Sequence, residues 1–121
     1  MGTTDYGLEK IGSWFVGETV SPPNYCEFGI GSDIFNPSLP HLVNGILRKE
    51  ITWSWVEGDP RGAVVLSTLE ANGSNIGEFG FGVGSVVAGS NIFFRELSAI
   101  GTKDSSFDAE ISMKLRIRRS V

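Results

Sequence analysis

Hydrophobic and polar positions alternate along most of this chain, and only its beginning follows a different period. Leu8, Ile11 and Phe15 recur at i, i+3 and i+7 with Trp14 beside them, which predicts a helix over about residues 4–16. Thr3 or Thr4 can cap it, Asp5 and Glu9 suit the positive end of its dipole, and Gly17 is a natural stop. Gly7 and Gly12 weaken the helix intrinsically, so packing has to hold it in place.

From residue 24 the period becomes two. Residues 24–31 put Cys26, Phe28 and Ile30 on one face, and residues 33–40, with Asn36-Pro37 and Leu39-Pro40, read as a loop. Residues 47–56 read as one strand, with Ile51, Trp53 and Trp55 on one side and Arg48, Glu50, Thr52 and Ser54 on the other. The turn signal Gly58-Asp-Pro-Arg-Gly62 then returns the chain as a strand over 63–69, which makes a hairpin. A second turn over 70–73 leads to a strand over 75–83 that presents Phe79, Phe81 and Val83 together. A turn over 84–90, a strand over 91–97 and a polar, flexible stretch over 101–106 follow. Residues 107–119 alternate most regularly, with Phe107, Ala109, Ile111, Met113, Leu115 and Ile117 pointing one way. The expected fold is mainly β: an antiparallel β-sandwich or small barrel of about six strands, with one N-terminal helix, in a single domain over 1–121. Phe93 and Phe94 are neighbours in a strand and are expected to face opposite sides, which puts one of them at a subunit interface or in a second layer.

Composition narrows the chemistry. A chain of 121 residues, 40% hydrophobic and 20% charged, has the balance of one folded domain and not of a disordered segment. One cysteine and one histidine exclude a disulfide framework within the chain and a Cys/His zinc site. Cys26 shares the apolar face and is expected to be a small buried hydrophobe rather than a nucleophile. His41 could act as a general base with Ser38 or Asp33, but no nucleophile motif accompanies it, so a surface residue is the preferred reading. The acidic residues do not form a calcium-loop pattern. Among 16 glycines, Gly77, Gly80, Gly82 and Gly84 alternate with Phe79, Phe81 and Val83, and no lysine follows. That spacing suits a strand approached closely by other backbone, not a phosphate loop. The expectation is therefore no catalytic residue, no metal and no cofactor.

A net charge of -4 disfavours nucleic acid as a partner. Lys114, Arg116, Arg118 and Arg119 nevertheless form a basic strip, which is either a solvated strand face or the complement of acidic surface on a neighbouring subunit. No signal peptide is visible at the N-terminus, and no apolar run approaches the ~20 residues of a spanning helix. A soluble protein made in a cytoplasm, without membrane insertion, is expected. Asn72-Gly73-Ser74 fits a glycosylation sequon but reads as an ordinary turn. Trp53, Trp55, Phe93 and Phe94 could form a carbohydrate or partner surface, with a core role the preferred reading for Trp53 and Trp55.

Taken in order, several segments resemble small structural proteins of tailed bacteriophages and prophages, of the tail-fibre or tail-collar type. Thr4-Asp-Tyr-Gly-Leu-Glu-Lys-Ile11 is similar to their opening helix, and Pro23-Asn-Tyr-Cys-Glu-Phe-Gly-Ile-Gly31 to their first strand. Leu47-Arg48-Lys49 before Ile51-Thr52 resembles the arginine preceding their second strand. Residues Glu70 to Phe81, Ile92-Phe-Phe-Arg95, Lys103 and the alternating close ending Arg116-Ile-Arg118 extend the likeness across nearly the whole chain. The loop Asp33 to His41, with two prolines, departs from the compact loop of the family.

The resemblance implies a non-enzymatic virion protein, made in the bacterial host cytoplasm, that takes part in tail, fibre or baseplate assembly and in host attachment. Its partners would be copies of itself, as a trimer or other ring, other virion proteins and a host-surface glycan. On this reading Glu78 and Arg95 would form a buried or interface ion pair that fixes one arrangement. Phe93, Phe94, Trp53, Trp55, Arg116 and Arg118 would be structural or interface residues. The alternatives, in order, are a capsid decoration protein, a β-sandwich carbohydrate-binding module using Trp53, Trp55 or the aromatic residues near Asp33 to His41, and a small hydrolase.

Overall fold

A computed structural model describes residues 2–115. In chain order the elements are β1 (Gly2–Thr3), α1 (Asp5–Phe15), β2 (Tyr25–Gly29), β3 (Gly45–Glu50), β4 (Thr52–Val56), β5 (Asp59–Leu66), β6 (Asn75–Gly82), β7 (Ile92–Thr102) and β8 (Ala109–Lys114). They make two antiparallel sheets, one ordered β1-β7-β6-β2-β3 and the other β4-β5-β8. The arrangement is sandwich-like and not a closed barrel. Cys26, Phe28, Phe81 and Phe94 from the large sheet meet Val64, Leu66, Ala109 and Met113 from the small one, and these side chains form the core. Phe107 and Leu115 add to it from either end of β8.

Residues 47–56 are not one strand. The chain leaves the large sheet after Glu50, turns at buried Ile51, and enters the small sheet at Thr52. Ile51 N donates to Asn24 O at 2.9 Å, which fixes the corner. Alternation hides the bend because the same parity points inward on both sides of it, so a strand that changes sheets reads as continuous. Together with the two-residue β1, this division raises the number of strands from the expected six to eight among the described residues.

The hairpin turn is also tighter than the sequence suggests. Val56 pairs with Asp59, so only Glu57 and Gly58 turn, both with positive φ (53° and 83°). Two successive left-handed residues match the twist of the flanking strands. Pro60 and Gly62 therefore lie inside β5 and not in a turn. Similarly, β7 extends to Thr102, and Lys103 is fully buried where a flexible stretch was expected. Its Nζ donates to Asn72 Oδ1 at 3.1 Å and Asp104 O at 2.8 Å, and lies 5.4 Å from the centroid of the Phe107 ring.

The helix buries a different face from the one its apolar stripe predicts. Thr4 is the N-cap: its Oγ1 accepts from Gly7 N at 3.0 Å and donates to the β7 carbonyl of Ile92. Gly7 lies flat on the backbone of Phe93, and Tyr6 and Trp14 flank the Phe93 ring at 5.6 and 6.4 Å. Leu8 and Phe15 of the predicted stripe are exposed. A residue without Cβ allows the helix to approach β7 more closely than leucine would, so the small face wins over the greasy one.

Candidate functional site

The outer face of the large sheet is covered over much of its middle. Two long loops, 30–44 and 83–91, fold over it, and two buried carboxylate–guanidinium pairs hold them. Phe28, Phe81 and Phe94 point into the core, so parity directs Glu27 of β2, Arg48 of β3, and Glu78 and Arg95 of β6 and β7 to the opposite face.

Glu78 clamps the first loop. Its Oε2 accepts from Gly31 N and Asn44 N, both at 2.8 Å, and its Oε1 from Val43 N at 2.9 Å and Arg95 Nε at 3.0 Å. Arg95 also donates through Nη2 to Asp33 O at 2.9 Å, so the pair touches the loop at both ends. Burial pushes the Glu78 carboxyl pKa up, but the Asn44 and Val43 amides and the Arg95 guanidinium outweigh it and hold the group below the ordinary carboxylate value. The loop can come this close because β6 has Gly77 beneath it: a Cβ there would stand 2.5 Å from Gly31 O.

Arg48 clamps the second loop. Its Nε donates to Glu27 Oε1 at 2.6 Å. Nη1 donates to Val83 O and Gly84 O at 3.0 and 2.9 Å, and Nη2 to Gly89 O and Asn91 Oδ1 at 3.3 and 2.9 Å. All five guanidinium protons are thus engaged. Glu27 Oε1 also accepts from Ala88 N at 2.9 Å, while its Oε2 is buried against Gly45 without a hydrogen-bond partner among the described residues.

An apolar groove of about 740 Å³ opens on the other side, between α1 and β4. Ile11, Trp14 and Phe15 line it from the helix, Trp53 and Trp55 from β4, and Pro22 and Pro23 from the connecting segment. Trp14 Nε1 donates to Val20 O and Trp53 Nε1 to Pro23 O, each at 2.9 Å. Both indoles therefore offer the groove carbon surface and no donor. Phe15 is 88% exposed and Trp55 75% exposed, so they stand as its rim.

Of the residues singled out from the sequence, Glu78 and Arg95 are brought together on the clamped face, while Trp53, Trp55, Phe93 and Phe94 all border the groove. Trp53 packs edge-on against Phe81 at 5.8 Å, but Trp55 extends past the core and does not belong to it. Phe93 and Phe94 do not face opposite sides: both join one core cluster, with their ring centroids 6.2 Å apart. Phe81 pairs with Phe94 and Gly82 with Ile92, which leaves Phe93 as the extra residue of a bulge that cancels the alternation. Arg116 and Arg118 lie outside the described residues.

Sequence reasoning missed Glu27, Arg48 and Lys103. The alternation places Arg48 with Glu50, Thr52 and Ser54 opposite the apolar face and gives it no partner. The available signal was the charged pair Glu27 and Arg48 set among glycines at 29, 31 and 45, small residues that leave room for a covering loop. Cys26 is buried and its thiol pKa is pushed up by that burial, as an inert core residue requires. His41 Nδ1 lies 2.8 Å from Leu42 O, and the Ser38 hydroxyl donates to Asn36 Oδ1, so each is engaged elsewhere. Among the described residues no group of three or more potential ligands gathers as a metal site, and no helix is long and apolar enough to cross a membrane. No protein family, no curated protein and no solved structure matches this chain.

Proposed function

We propose that this chain is a non-catalytic structural module of a tailed-bacteriophage virion, acting in tail, fibre or baseplate assembly by packing against copies of itself and other virion proteins. The α1–β4 groove is the observation that carries the reading. It is a large apolar surface rimmed by exposed aromatic side chains, on a sandwich whose buried charges are spent on its own loops. Such a body offers shape and apolar area, which is what assembly uses. The segments resembling phage structural proteins supply the virion context. A glycan would need polar groups beside the aromatic faces, and the indole N–H groups of Trp14 and Trp53 are already bonded to Val20 O and Pro23 O.

Purified protein, alone and co-expressed with the products of its neighbouring genes, should be measured by size exclusion with light scattering and viewed by negative-stain electron microscopy. A defined oligomer or co-assembly is expected. A protein that stays monomeric and joins none of those products refutes the proposal.

A further inference from the structure

We propose that a second copy of this chain seats on the α1–β4 groove, aligned along the free edge of β4, and that the two copies are related by a two-fold axis. The inference rests on the assembly reading and names the surface that performs it.

Three features converge on one patch. First, β4 ends the order β4-β5-β8, so one of its edges has no strand neighbour among the described residues. Its sequence, Thr-Trp-Ser-Trp-Val, carries no charge and no proline, the devices by which edge strands usually refuse a partner. Two identical strands that pair antiparallel are related by a two-fold axis by construction, so this edge is suited to its own copy.

Second, hole and knob belong to the same surface. The groove is lined by apolar side chains, and Phe15 and Trp55 on its two walls are themselves exposed apolar side chains. A two-fold interface requires a self-complementary patch of this kind, in which each copy gives what it receives.

Third, the exposed aromatic area alone reaches about half of what a stable dimer needs. At ~200 Å² for a fully exposed aromatic side chain, Phe15, Trp55 and Trp14, which is 41% exposed, present about 400 Å² between them. Val16, 75% exposed, adjoins them, and the groove wall and the β4 backbone add further surface. A standard interface takes ~800 Å² from each partner, and these aromatic groups form its central half.

The test is light scattering on the full chain over a range of concentrations, with Trp55→Arg, Phe15→Ala and the control Leu69→Ala. Leu69 is 87% exposed and lies outside the groove. The unaltered protein and the control should form dimers or even multiples of them. Trp55→Arg should weaken self-association by about 30-fold or more, as loss of a central aromatic anchor does, and Phe15→Ala should weaken it in the same direction. Because Trp55 stands outside the core, circular dichroism and the melting temperature should show Trp55→Arg folded. Hydrogen exchange should slow at the amides of Thr52–Val56 as concentration rises. Oligomers indifferent to both groove substitutions overturn this inference and leave the assembly reading standing. A monomer at every concentration overturns it too, and co-expression with neighbouring gene products then decides the assembly reading separately.

Discussion

Replacing Glu78 with glutamine changes one oxygen to an NH2 group and removes one charge, with almost no change in shape. Each carboxylate oxygen accepts two hydrogen bonds, from Gly31 and Asn44 at Oε2 and from Val43 and Arg95 at Oε1. Whichever way the amide is oriented, two of those four donors then face another donor. An unsatisfied buried donor costs about 1–3 kcal/mol. Removing one partner of a buried ion pair costs about 3–5 kcal/mol in total, because the remaining charge is stranded. Glu78→Gln should therefore lower stability by about 4–5 kcal/mol, a large part of the ~5–15 kcal/mol available to a typical domain. Arg95→Met should cost less, about 2–3 kcal/mol, because Glu78 keeps three backbone N–H donors when the guanidinium is gone.

Urea unfolding of both single variants and the double variant gives the two costs and their coupling, which should be favourable by at least ~1 kcal/mol. Hydrogen exchange locates the effect: the amides of Gly31, Val43 and Asn44 should lose protection in Glu78→Gln, while those of β5 and β8 lose it only with global stability. The reasoning is refuted if Glu78→Gln stays within about 1 kcal/mol of the unaltered protein. It is equally refuted if Arg95→Met proves the costlier change.

The helix and the acidic groups give further expectations. Gly12→Ala should stabilise the fold by about 0.5–1 kcal/mol, since a Cβ there meets nothing within 4 Å and alanine is the better helix former. Gly7→Ala should destabilise by more than that, because its Cβ would stand 2.5 Å from the Phe93 carbonyl oxygen in the backbone of β7; thermal melts that move both variants in the same direction would contradict the docking geometry. Glu78 and Glu70 have folded pKa values below the ordinary 4.5, Glu70 because Lys49 and the Ser67 amide hydrogen-bond to it. Their contribution to stability is full above that value and is lost as pH falls through the lower folded values. The urea midpoint should accordingly drop below about pH 4.5, and a midpoint that rises there would refute the assignment.

The mainly β architecture, the N-terminal helix and most inward-facing positions were legible in the sequence, because a two-residue period has one consequence wherever one face is buried. Phe28, Phe81, Ala109 and Met113 occupy the core that this period predicts. Errors arose where geometry left the period intact or interrupted it locally. The corner at Ile51 preserves parity across a change of sheet, and the bulge at Phe93 shifts it by one. The corner leaves no mark in the pattern of hydrophobic residues, and the run Ile92-Phe93-Phe94 that marks the bulge reads equally well as a strand covered on both faces.

The charged residues show the same division. The alternation by itself put Glu27, Arg48 and Glu78 off the core side of their strands. It could not determine that this outer face would also be buried, because alternation records which side a residue takes and not what covers that side. Tertiary structure decided this by folding the loops 30–44 and 83–91 over the glycine-lined surface, where the carboxylates and guanidinium groups replace water for the loop amides and carbonyls. It likewise turned Gly7 of the helix inward and left Phe15 outside. Close approach of backbone to backbone governs both outcomes, and that depends on atoms far apart in the chain.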